Sequence, residues 1–177
     1  MTRRLFASCL AAGLLAGLPA TGAGADEMPI RKPGLWEMKM VKTGSALPDV
    51  TMQHCTDETT DKEMSTAFSP ISKEICSRRA IQKTASGYVS DAVCSIGGMS
   101  MTSHSDIVGD FDSAYTVKTT SHSEHGPSGL PRDSTMTIEA KWLGACKPDQ
   151  KPGDIVMPGG FKINIRDAEK LRALLPK

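Results

Sequence analysis

The sequence predicts a mainly β domain: a twisted antiparallel meander, able to curl into an open barrel, with one or two short helices and two disulfides. Three observations predict it. Alternating apolar and polar residues recur along the 177-residue chain in short runs parted by glycine and proline, the pattern of half-buried strands joined by turns. Four cysteines, Cys55, Cys76, Cys94 and Cys146, follow an N-terminal segment with export features; an even number in that setting implies disulfides in an oxidising compartment. Finally, Cys76–Cys94 reads as a β-hairpin closed by its own sulfurs.

The elements follow in chain order. Residues 1–25 read as a cleaved signal peptide. Arg3 and Arg4 give a charged start, Leu5 to Leu18 is apolar but short for a bilayer span, and Ala23-Gly24-Ala25 fits a cleavage site. An ordinary secretory signal and a twin-arginine signal both fit this segment. Residues 26–177 are then one disulfide-stabilised β domain, with no later run apolar enough to cross a membrane.

Pro33-Gly34 is a break, after which Leu35–Lys42 reads as a strand with Trp36, Met38 and Met40 on one face. Val50–Cys55 pairs with it. The period then turns helical, with Met64, Ala67, Phe68 and Ile71 on one side. Thr60 to Glu63 fits a capping box, and Pro70 stops the helix near Phe68, so a short helix is predicted over Thr60–Phe68.

In the next hairpin the turn is Thr84-Ala85-Ser86-Gly87, with Gly87 free to take positive φ. Pairing Cys76 with Cys94 sets Arg79 opposite Asp91 and Ile81 opposite Val89. Four cysteines allow three connectivities, and the alternative is that Cys76 and Cys94 each pair elsewhere. If the hairpin bond forms, the other bond is Cys55–Cys146.

Met99–Val108 and Phe111–Ser121 form a second hairpin around Gly109-Asp110, with Met99, Met101, Ile107, Phe111, Tyr115 and Val117 on one face. Residues Glu124–Pro131 form a loop. Arg132–Leu143 is the last strand, turning Met136, Ile138, Ala140 and Trp142 inward. Lys147–Gly160 reads as extended coil, and Asp167–Leu175 as a final helix.

The pieces Lys32-Pro33-Gly34-Leu35-Trp36-Glu37, the cysteine order, Gly144-Ala145-Cys146 and Lys151-Pro152-Gly153-Asp154 together resemble the domain-of-unknown-function 3617 family, small exported proteins of Gram-negative bacteria. The resemblance spans Lys32 to Asp154. It implies a periplasmic location and brings no catalytic residues with it.

Composition narrows the function. With 21 basic and 20 acidic residues there is no cationic excess to hold nucleic acid or an anionic membrane. No catalytic residues, cofactor or transmembrane segment are predicted. The cysteines are spoken for as disulfides. Ser128 lacks the spacing of a nucleophile elbow, and His104-Ser105-Asp106 cannot face one another on a strand. His122-x-x-His125 lacks a third or fourth ligand.

Three readings remain. The first is a non-enzymatic protein that binds an apolar envelope ligand or a protein partner on a face bearing Trp36, Met38, Met40, Met99, Met101 and Trp142. The second is a copper protein using Met38, Met40, Met99, Met101 and His104, since thioether and imidazole suit Cu(I). Against it, alternating Met is also what a packed strand face looks like. The third is an enzyme whose site is unrecognised.

Overall fold

The computed structural model describes residues 28–44, 48–64, 75–96, 98–124 and 132–167. The predicted signal peptide, the end of the first predicted helix, His125, Ser128 and the predicted helix beyond residue 167 lie outside them. The described chain forms one antiparallel sheet of nine strands: β1 (Gly34–Thr43), β2 (Val50–Thr56), β3 (Cys76–Lys83), β4 (Gly87–Ile96), β5 (Met99–Asp110), β6 (Ala114–Ser123), β7 (Asp133–Gly144), β8 (Asp154–Val156) and β9 (Lys162–Asn164). Their order is β3-β4-β5-β6-β7-β1-β2-β8-β9. The meander β3–β7 is thus extended by the chain's own beginning, with β1 pairing both β2 and β7. Both predicted disulfides form. Cys55–Cys146 reaches across β1, because Leu35 faces Cys55 on one side and Gly144 on the other.

Alternation sorts the side chains into cross-strand rows on one face. Tyr88, Ile107, Val117, Ile138, Met40 and Val50 make one row. Tyr115, Ala140, Met38 and Met52 make the next, and Trp142, Trp36 and His54 a third. The buried core is Trp36, Ile107, Tyr115 and Ala140, with Met38, Tyr88, Phe111 and Val117 packed around it. Its aromatic rings run in series: Trp36 lies 5.6 Å from Tyr115, Tyr115 stacks on Phe111 at 4.7 Å, and Phe111 meets Tyr88 edge-on. Offset and edge-on ring contacts of this kind add to simple area burial.

Four expectations are corrected. In β3–β4 only Cys76↔Cys94 keeps the predicted register. A bulge after Cys76 shifts the rest by one, so Arg79 faces Ala92 and Ile81 faces Ser90. Asp91 is held instead by His104 of β5, at 2.8 Å. In the second hairpin the ladder runs on to Asp110↔Ala114. The turn lies three residues later than predicted because the Asp110 carboxylate accepts from the Asp112 amide and the Ser113 hydroxyl.

The first helix, α1 (residues 58–64 as described), starts earlier than the predicted capping box. Asp57 is the cap: its Oδ1 accepts from the Thr60 amide at 2.7 Å, while its own amide donates to Thr60 Oγ1 at 2.9 Å. The Thr60 amide, and then the Thr60 hydroxyl donating to the same Oδ1, hold the Asp57 carboxyl below the ordinary range. Lastly, the predicted coil after Cys146 contributes β8, and β9 follows it.

Candidate functional site

The entry segment before β1 turns back over the core face of the sheet. Its anchor is the Lys32 amide, which donates to the Phe111 carbonyl in the β5–β6 turn. Lys32 and Pro33 are also clamped by the two tryptophans. Trp36 Nε1 donates to the Lys32 carbonyl, Trp142 Nε1 donates to the Pro33 carbonyl, and the Lys32 ammonium lies 3.9 Å over the Trp142 ring. Gly34 follows at φ 133°, where a Cβ would strike the Gly144 carbonyl and the Trp142 indole. The Pro-Gly-Leu-Trp motif therefore sets the path of the entry segment.

That path buries Arg31 under α1. Arg31 Nε donates to Asp61 Oδ1 at 2.7 Å, and its backbone amide donates to Asp61 Oδ2 at 2.8 Å. Nη2 also reaches Asp61 Oδ1, at 2.6 Å, and donates to His54 Nδ1 at 3.1 Å. Nη1 points at the Met38 sulfur, 3.7 Å away. Arg31, His54 and Asp61 are all buried. Such a pair resides stably inside a protein only when its hydrogen bonds are satisfied.

His54 is 1 % exposed, and its Nε2 has no hydrogen-bond partner among the described residues. Burial, then the Arg31 guanidinium, lower its pKa from 6.5 to about 4, partly offset by Asp61. Burial pushes the Tyr115 phenol up; the nearby Arg31 charge opposes that shift.

Between this cluster and the sheet lies a cleft of about 260 Å³. Its floor is Met38, Tyr115, Val117 and Ile138, drawn from β1, β6 and β7. Phe111 closes one end; Met28 and Pro29 of the entry segment and Met64 of α1 form the walls. Arg31 and Asp61 are its charged lining residues. A larger hollow of about 430 Å³ beside β8 and β9 is different in kind, with the Lys162 ammonium set between Asp149 and Asp154.

Of the six side chains predicted for a ligand face, Met38 lines the cleft. Trp36 lies wholly buried in the core beside it, and Trp142 clamps the entry segment. Met40 sits in the neighbouring row between Ile138 and Val50. Met99 and Met101 are elsewhere: β5 is three strands from β1, and Met101 lies six residues beyond Ile107. That is about 14 Å across the strands and about 20 Å along them.

The two Met pairs therefore do not meet, and His104 points to the opposite face, toward Asp91 and Asp106. Among the described residues no group of three or more His, Cys, Asp or Glu could hold a metal ion. On that opposite face His122 bonds Asp133 at 2.7 Å.

The sequence reading passed over Arg31, His54 and Asp61. One signal was present: His54 occupies an inward position of a strand whose other inward residues are Val50 and Met52.

No helix among the described residues is long and apolar enough to cross a membrane. A family model described as a protein of unknown function, DUF3617, matches residues 31–146. No curated protein and no solved structure matches.

Proposed function

The chain belongs to the DUF3617 family, and on that premise we propose that it is a non-enzymatic protein of the periplasm that binds an apolar ligand in the cleft between the sheet, the entry segment and α1. The observation that carries this reading is the cleft itself. Methionine, aromatic and aliphatic side chains line an open space of about 260 Å³ where a sheet face could have packed shut, and apolar concavities with a few polar groups are the usual form of small-molecule sites. The periplasmic assignment rests on the two disulfides, which suit an oxidising compartment, and on the export features of residues 1–25. The non-enzymatic assignment rests on the chemistry of the lining. Its charged groups, Arg31 and Asp61, are locked to one another, and the cysteines are oxidised.

The test is native mass spectrometry of the protein released from periplasm, beside a Val117→Trp variant whose indole fills the cleft. The expected result is a retained small molecule on the wild type that is missing from the variant, with unchanged circular dichroism. A wild type that carries nothing, and that binds apolar probes no better than the filled variant, would overturn the reading.

A further inference from the structure

The polar end of the cleft says what kind of ligand fits, on the footing that the cleft is a binding site. Arg31 brings a positive charge, and Asp61 already cancels it through the ion pair at 2.6 Å. His54 accepts a hydrogen bond from the same guanidinium and is neutral at pH 7. Among the described residues no other charged side chain lines the space. The site is thus polar without net charge. An ionised ligand head would leave water for surroundings with no counter-charge to meet it, a cost that neutral molecules escape.

The site still offers a donor. Arg31 Nη1 spends itself on the Met38 sulfur at 3.7 Å, and a thioether is a weak acceptor. A carbonyl or ether oxygen would be a better one. Tyr115 lines the same cleft and carries a hydroxyl able to donate as well. From there the floor runs over Val117 and Ile138, which have nothing to offer but apolar surface.

We infer that the ligand is an uncharged, lipid-like molecule: an alkyl chain lying on Met38, Val117 and Ile138, with one hydrogen-bond-accepting oxygen directed at Arg31 and Tyr115. A fatty acid in its ionised form and a cationic amphiphile are disfavoured by the same argument.

Calorimetric titration of the oxidised, full-length mature chain at pH 7 with methyl decanoate, decanoate and decylammonium, each below its micellar range, tests this. The ester is expected to bind at least tenfold more tightly than either ion. Tyr115→Phe, which removes one polar group and no charge, is expected to weaken the ester and leave the two ions as poor as before. Equal or tighter binding of decanoate or decylammonium would overturn the charge argument while leaving the cleft a binding site. If none of the three binds, and Val117→Trp behaves as wild type, the cleft reading itself falls with it.

Discussion

Protonating His54 would place a second cation against Arg31, inside a buried site. Its pKa in the folded protein is lowered to about 4 from 6.5, so the unfolded chain takes up that proton first. The contribution of neutral His54 is complete above pH 6.5 and is lost as the pH falls from 6.5 to 4, amounting to about 3 kcal/mol. His54→Gln keeps an acceptor for Arg31 but cannot titrate. Urea unfolding across that window should show a steeper fall in stability for the wild type than for the variant; parallel curves would refute the assignment.

The cluster was hard to see in the sequence because Arg31, His54 and Asp61 come from three separate segments that share no periodicity. Met38 was legible because it alternates with Trp36 and Met40 on one strand. Met99 and Met101 obey the same alternation, yet sit far from the cleft. Alternation gives the face of the sheet and is silent about where along that face a gap will be left.

At the scale of elements, the Cys76–Cys94 hairpin illustrates both reach and limit. The disulfide and the turn followed from the cysteine spacing and Gly87, and the Thr84 amide does close onto the Gly87 carbonyl. The register did not follow, because the bulge after Cys76 cannot be read from pairing arithmetic that assumes an unbroken ladder. The bulge has a job. Ile81 faces Ser90, so odd residues of β3 share a face with even residues of β4. The even-numbered Cys76 needs the extra residue to bring its sulfur to the same side as that of Cys94.

The two bonds should differ in worth. On the chain-entropy model a closure spanning 91 residues stabilises by about 4.6 kcal/mol and one spanning 18 by about 3 kcal/mol. Replacing each pair with alanine and comparing denaturation midpoints should therefore show the larger loss for Cys55 and Cys146. The opposite ranking would mean that the hairpin bond does more than restrict the unfolded chain.

For the whole molecule, the antiparallel meander was legible and its extension was not. β8 and β9 have three residues each, too short for alternation to register, and Pro and Gly around them read as coil. Nor does local pattern reveal that β7 returns to β1, a pairing between residues about a hundred positions apart. The sheet ends in two edges, β3 and β9. The first carries Arg78, Arg79 and Lys83 and the second is short, both recognised ways of discouraging strand-to-strand association.

The bond from Cys55 to Cys146 also shapes how the protein would respond to being pulled from its two ends. Tension would travel through that covalent link and bypass everything between, including the smaller ring at Cys76–Cys94 nested inside it. Extension would stop short by roughly 320 Å, the contour of the 91 bypassed residues. In optical tweezers, adding a reductant should release that hidden length, and strands β3 to β7 should yield to force only then.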